Sequence, residues 1–343
     1  MIPLAARLRD LGHNVIIGSG AEHLAFFRSE LEGIKYVNFP GFKPIYSRLL
    51  PQYAILLLQM PILLYHIIKE HYRLKKIIAE NGIDIVISDN RFGLWNRHIK
   101  TIYVTHMPVI PFPVPFRFLE FTGKFLHRLI IKKYNFCFIP DLPGDLNVSG
   151  RLTHGTEFPE NVRYIGILSR FSESYLNNAI PASGTGYTVV ILSGPEPQRS
   201  ILKRKLVNIF NVRNESADIL EGLPGIKNDT RISGNITFYD HLPSPEMEKK
   251  LRESKLIISR AGYSTIMELL SMNCSAFLVP TPGQTEQEYL ARYLSEKGWF
   301  DAVPQKEINA GSFPIEINNR LPVMINERSR ELLDKAIMEI FEY

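Results

Sequence analysis

With 343 residues, 45% hydrophobic and 22% charged, the chain has the profile of a soluble globular protein long enough for two domains, which excludes a disordered chain or a small disulfide scaffold. Two distant cysteines, Cys137 and Cys274, each lie near apolar residues, a usage that predicts a reducing compartment and no metal site. A net charge of +5 carried by scattered bases argues against nucleic acid and for an anionic surface or substrate.

The chain opens on an amphipathic pattern rather than a basic-then-apolar leader, and residues 1–11 are predicted to be a helix with Leu4, Leu8 and Leu11 on one face. Gly12 is its expected C-cap, and a short strand over residues 15–17 follows. Gly18 and Gly20 then lead into a helical run; a lone G-x-G of this kind reads as an ordinary βα loop. The longest apolar stretch, residues 53–68, contains Gln59, Pro61 and His66 and falls short of a membrane span, so it is expected to be a core or interfacial helix. Residues 83–88 and 101–105 read as buried strands ending in Asp89 and His106, and ligands of α/β folds gather at such carboxyl ends. The proline-rich run 108–116 cannot be a helix, and Lys124, Arg128, Lys132 and Lys133 follow it. An apolar loop beside bases suits an anionic membrane surface, with a loop packed on its own domain as the plainer reading. Residues 163–170 read as a connector, and the small-residue segment 172–186 as a domain boundary.

The second half restarts the alternation, with strands expected over 187–192, 217–220, 236–239, 256–259 and 276–279, and helices between them. That alternation predicts a parallel sheet with right-handed crossovers. The run 255–259 leads through Arg260, Ala261 and Gly262 into a helix, a strand-turn-helix unit whose free N–H groups suit an anion. Thr265 and Glu268 have capping-box spacing, which would mark where that helix begins. Loops 193–199, 239–243, 260–268 and 280–288 should open together on one sheet edge. They offer a helix N-terminus for phosphate, a carboxylate for a diol, amides, and apolar groups for a base, a set that suits a nucleotide-sugar. The final helix, residues 329–341, is amphipathic and can pack back on the first half.

Arg260, Gly262, Tyr263, Ser264, Thr265 and Glu268, then the run 277–280, then Gln287, Glu288 and Tyr289, resemble the carboxyl-terminal domain of glycosyltransferase family 28, over about residues 238–303. The resemblance implies an α/β GT-B fold: an amino-terminal acceptor-side Rossmann-like domain over residues 1–170, a nucleotide-sugar domain over 187–328, and the terminal helix of 329–343. It implies that Arg260, Gly262 and Ser264 face the donor pyrophosphate, that Thr265 is also donor-binding, and that Glu268 holds the ribose hydroxyls. Tyr239, His241 and Leu242 would border the uracil and Gln287 the sugar, with Thr285 and Glu288 also donor-binding. Glu288 stands where the family's best-known member has a second glutamine, which opens the sugar's identity, since an ionised carboxylate only accepts hydrogen bonds. In the loop of Ser193 and Gly194 prolines replace expected glycines, so Arg199 would supply charge there.

The implied reaction is a metal-independent inverting displacement from a UDP-sugar to a lipid-linked or other membrane-associated acceptor, with no D-x-D motif and no cofactor expected. His106 and Asp89 are the candidate catalytic residues. The expected location is cytoplasmic, with peripheral contact at the inner face of the cell membrane. A UDP-sugar 2-epimerase of the same fold and a non-catalytic sugar-nucleotide-binding protein are the alternatives. The family begins with a strand and a glycine-rich loop, whereas this sequence opens in the helix that follows. A chain starting at Met1 is therefore expected to be poorly stable or inactive, since losing a central strand leaves its neighbours' edges unpaired.

Overall fold

The structure, a computed structural model, describes residues 1–43, 58–109, 119–155, 157–171, 186–222, 229–311, 317 and 320–342. In the first half the elements are α1 (Ile2–Asp10), β1 (Ile16–Ser19), α2 (Ala21–Glu30), β2 (Lys35–Asn38), α3 (Met60–Asn81), β3 (Ile85–Asp89), β4 (Lys100–Val104), α4 (Leu119–Ile131), β5 (Phe136–Ile139) and β6 (Val162–Tyr164). The second half contributes β7 (Thr188–Ile191), α5 (Gln198–Arg213), β8 (Ala217–Leu220), β9 (Thr230–Ser233), β10 (Ile236–Tyr239), α6 (Ser244–Glu253), β11 (Leu256–Ser259), α7 (Tyr263–Ser271), β12 (Phe277–Leu278), α8 (Thr285–Glu296), β13 (Asp301–Ala302) and α9 (Ile325–Glu342).

Three sheets result. β1 and β2 pair in parallel as a two-stranded sheet, β3 to β6 form a parallel four-stranded sheet in chain order, and the second half forms a seven-stranded sheet in the order β13-β12-β11-β7-β8-β10-β9. Strands β5, β7, β8 and β11 are buried at every residue, as expected where both faces of a parallel sheet are covered. One large apolar cluster joins the halves: Phe138, Ile165 and Leu168 of the first pack with Tyr263, Met267 and Leu290 of the second. α9 crosses between them, with Arg7 bonded to Asp334, Arg163 to Glu339, and Lys100 donating to the Ile340 carbonyl. Gly166 lies so close to α9 that a Cβ there would fall 2.2 Å from the Ser329 Cα.

Several boundaries differ from the sequence expectation. The segment read as a connector contains β6, because residues 162–164 extend the first-half sheet beside β5. β9 was not foreseen, since its four residues, with Ile232 the one apolar side chain, are exposed throughout; it pairs antiparallel with β10 across a two-residue turn in which Gly234 takes φ +59. The last helix starts at Ile325, not at residue 329. Residues 44–57, 110–118 and 172–185 lie outside the described residues, and with them most of the apolar stretch before α3, the proline-rich run and the expected boundary. Both cysteines are buried and free. Among the described residues no helix is long and apolar enough to cross a membrane, and no His/Cys/Asp/Glu cluster could hold a metal.

Candidate active site

Strand order locates the crevice before any side chain is considered. From β7 the second-half sheet grows through β8 and β10 on one side and through β11 on the other, so the order reverses between β7 and β11. Ligands of open parallel sheets sit outside the carboxyl ends of strands at such a reversal. Loop 193–199 follows β7 and residues 260–262 follow β11. Ser193 is half-buried there, and Gly194 is exposed at φ +94, where a Cβ would stand 3.7 Å from the Thr281 hydroxyl of the loop after β12.

α7 begins with Gly262 as N-cap, and its first intrahelical bond runs from the Ile266 N–H to the Gly262 carbonyl. The amides of Tyr263, Ser264 and Thr265 precede that bond and carry the partial positive charge of a helix N-terminus. Ser264 is exposed and Thr265 half-buried. The expected Thr265–Glu268 capping box is not formed: no side chain caps the start, and Thr265 already lies within the first turn. Glu268 is turned instead to Arg170 of the first half, whose Nε is 2.9 Å from its carboxylate. Burial raises the pKa of Glu268, and the Arg170 charge acts against that rise.

Arg170 belongs to a wider contact between the halves. It stands 3.8 Å from Glu30 of α2, and Glu30 accepts hydrogen bonds from the Ser244 hydroxyl at 2.6 and 2.7 Å. Its guanidinium lies 5.5 Å from the Phe26 ring, and Phe26 meets His241 edge-on at 6.2 Å. α2 thus covers the segment after β10. Burial first, then the Arg170 charge, lowers the pKa of His241, and Glu30 acts against them. Leu242 is buried, and Tyr239 stacks under the Lys250 ammonium at 4.6 Å.

His106, just past the end of β4, faces the second half. Its Nε2 is 3.3 Å from the Glu286 carboxylate in the first turn of α8, and its ring stacks on Tyr263 with centroids 4.9 Å apart and planes 13° apart. The Tyr263 hydroxyl donates to the Pro140 carbonyl, which fixes that platform. Burial pulls the His106 pKa down, but Glu286 and then Asp89 outweigh it and hold the imidazole above the ordinary histidine value. Asp89 is exposed at the end of β3, and together with Glu268 it also bears on the Met1 amino group. His106 thus stacks on the first residue of α7, and Asp89 acts on both His106 and, with Glu268, on the Met1 amino group where the halves meet.

Other expected residues are placed differently. Arg260 does not present its charge in the turn: it is fully buried and donates to the carbonyls of Val279, Pro280 and Gln198, tying together the segments that follow β7 and β12. A guanidinium carries five donors, and this one spends its reach on backbone acceptors. Arg199 is bonded to Glu196 and to the Glu221 carbonyl. Gln287 accepts from the Thr281 N–H and Glu288 from the Gly283 N–H, so both fasten their own loop, and Thr285 begins α8 half-buried. Sequence reasoning missed Arg170, Glu30, Phe26 and Glu286, since each gains its neighbours only when the halves meet. The one signal was Glu286 itself, an acid in the first turn of a helix beside the expected sugar contacts.

Residues 226–334 match the family profile described as the glycosyltransferase family 28 C-terminal domain. Among curated proteins, the UDP-N-acetylglucosamine–N-acetylmuramyl-(pentapeptide) pyrophosphoryl-undecaprenol N-acetylglucosamine transferase of Rickettsia akari is 34% identical over 95 residues, covering 26% of this chain and 24% of its own. The protein of the same name from Caldanaerobacter subterraneus is 31% identical over 88 residues, covering 24% of each chain. The chain thus spans about a quarter of the length of these relatives. Among solved structures, the kitacinnamycin glycotransferase superposes with a TM-score of 0.62 at 13% identity, covering 99% of this chain and 94% of its own. The Acinetobacter baumannii MurG superposes with a TM-score of 0.54 at 13% identity, covering 100% and 95%. These likenesses establish the fold of the whole chain: GT-B, with two Rossmann-like halves facing across a cleft.

Proposed function

We propose that the chain transfers a hexosyl group from a UDP-sugar to a lipid-linked acceptor by a single displacement with inversion. The observation that carries this reading is the meeting of His106, from the first half, with Tyr263 and Glu286, from the second, in the cleft that also holds Glu268 and the free amides of α7. The donor diphosphate fits the α7 N-terminus, where amides stabilise the charge that grows on the leaving group. The ribose hydroxyls donate to Glu268 in place of Arg170, and the uracil lies by Tyr239 and His241 near Phe26.

A His106 hydrogen bond to Glu286 through Nε2 leaves the Nδ1 lone pair free. The acceptor oxygen attacks the anomeric carbon and passes its proton to Nδ1, while the carbon–oxygen bond to the diphosphate breaks and its electron pair leaves with UDP. The lipid-linked acceptor has support from the printed names of the curated relatives. Peripheral membrane contact has support from exposed apolar residues on α3 (Ile62, Tyr65, Ile68) and α4 (Phe121, Phe125, Leu129), set among Lys69, Lys124 and Arg128.

The test is incubation with UDP-hexoses in the presence and absence of an undecaprenyl-diphosphate-linked sugar. UDP release that requires the acceptor is the expected result. UDP release together with a free N-acylmannosamine, or binding without turnover, would each overturn the reading.

A further inference from the structure

We infer that Tyr263 is a positioning residue for the proposed transfer: its ring holds the His106 imidazole in one plane, and its place at the head of α7 ties that hold to the element proposed to take the donor. The inference rests on His106 as proton acceptor and says how its ring is fixed for that task.

The reach of the side chain follows from its place in the helix. Helical side chains tilt toward the N-terminus, and Tyr263, the first residue of α7, extends past the helix start to the first half. There it spans the ends of two adjacent strands. Its ring lies flat on His106, which follows β4, with centroids 4.9 Å apart and planes 13° apart. Its hydroxyl donates at 2.6 Å to the carbonyl of Pro140, which follows β5, and β4 pairs directly with β5. Tyr263 is only 4% exposed and belongs to the apolar cluster that joins the halves. Packing and the hydroxyl bond thus fix the phenol, and the phenol fixes the imidazole.

Two constraints then set the orientation of His106. Stacking confines the imidazole to a plane, and the Glu286 carboxylate, 3.3 Å from Nε2, sets its rotation within that plane. A proton gained at Nδ1 makes the ring a cation, and an aromatic face stabilises a cation stacked on it. The charged groups that act on His106 are Glu286 of α8 and Asp89 at the end of β3, and both favour the same protonated form. The phenol itself carries no proton to or from the reaction. Burial first, then the Asp141 charge, raises its pKa well above the ordinary tyrosine value, and its one proton is held by Pro140. Both constraints come from the second half, one from the first residue of α7 and one from the first turn of α8. His106 is thereby oriented by the half proposed to hold the donor.

The test compares, in the full chain, Tyr263→Phe, which keeps the ring and loses the hydroxyl, with Tyr263→Leu, which loses both. NMR titration of histidines labelled at Cε1 reads the His106 pKa, with His106→Gln identifying its signal, and thermal melting reads folding. Tyr263→Leu should lower the His106 pKa by about 0.4–0.7 of a pH unit, the loss of one cation–aromatic contact. Its kcat should fall at least about tenfold, with the donor KM changed by less than about twofold, because a ring free to turn is aligned less of the time. Tyr263→Phe should keep the His106 pKa within about 0.2 of a pH unit, yet melt at a lower temperature because the Pro140 carbonyl loses its donor. In the wild type the His106 Cε1 proton should lie upfield of its ordinary position, shielded by the ring it faces; an ordinary position overturns the inference without any variant. An unmoved His106 pKa in a folded Tyr263→Leu, with turnover lost in His106→Gln, overturns the Tyr263 assignment alone. Full turnover in His106→Gln overturns that assignment and the proton-acceptor reading together.

Discussion

Glu268→Gln is the substitution that separates a donor-binding carboxylate from a helical residue that merely pairs with Arg170. In the proposed complex the carboxylate accepts from two ribose hydroxyls, and glutamine keeps the shape while replacing one acceptor oxygen with a donor. Hydrogen bonds to a charged acceptor contribute about 1.5–3 kcal/mol each, so losing one should weaken UDP roughly 10- to 100-fold. The side chains of Arg170 and Glu268 are only 12% and 18% exposed, so the free protein should lose stability as well. Breaking a buried pair costs about 3–5 kcal/mol when the remaining charge has no other partner. Arg170 keeps Glu30 at 3.8 Å, which places the expected loss lower, at about 1–3 kcal/mol. Calorimetric titration with UDP near pH 7.5, alongside thermal unfolding, reads both quantities. Because burial raises the Glu268 pKa, wild-type affinity should begin to fall at a higher pH than an ordinary carboxylate would give, as acid converts the acceptor to a neutral acid. A UDP affinity changed by less than about twofold, with the stability loss intact, would refute the ribose assignment.

The neighbouring substitutions test the rest of the arrangement. Glu286→Gln removes the carboxylate that holds the His106 pKa up, so the acidic limb of the pH–rate profile should move to lower pH, while the plateau rate drops on the order of 10²-fold as the imidazole loses its orientation; an unmoved limb would count against His106 as proton acceptor. Gly150 takes φ +50, and a Cβ there would lie 2.2 Å from the Tyr289 hydroxyl, so Gly150→Ala should lower stability by about 2–4 kcal/mol in thermal unfolding. Tyr289→Phe should recover part of that loss, because the obstructing atom is the hydroxyl. Arg260→Met strips three backbone carbonyls, two of them buried, of their donor and should cost about 3 kcal/mol or more; a near-unchanged melting temperature with weakened UDP binding would instead put the guanidinium at the diphosphate.

The sequence made the second half legible because its information is local. Short apolar runs such as Leu256, Ile257 and Ile258, a glycine before a helical pattern, and polar residues at strand ends are enough to place loops on one sheet edge. The capping-box reading of Thr265 and Glu268 failed for the complementary reason: spacing along the chain cannot reveal that Arg170, 98 positions earlier, offers Glu268 a charged partner. Arg260 shows the same limit. An arginine beside a phosphate-type turn reads as an anion contact, yet three backbone carbonyls from segments remote in sequence claim it. β9 was invisible because its four residues are all exposed and only Ile232 is apolar, so they carry no alternation, and only pairing with β10 makes them a strand. What lies between the halves, the His106–Glu286 contact above all, depends on two separately folded surfaces coming together, and no local pattern encodes that.

The stereochemistry of the product tests the central claim most directly. With an α-linked UDP-hexose as donor and a lipid-diphosphate-linked sugar as acceptor, proton NMR of the anomeric centre should show a β-linked product formed in step with UDP release. An α-linked product would contradict a single displacement in which His106 takes the acceptor proton as the diphosphate departs.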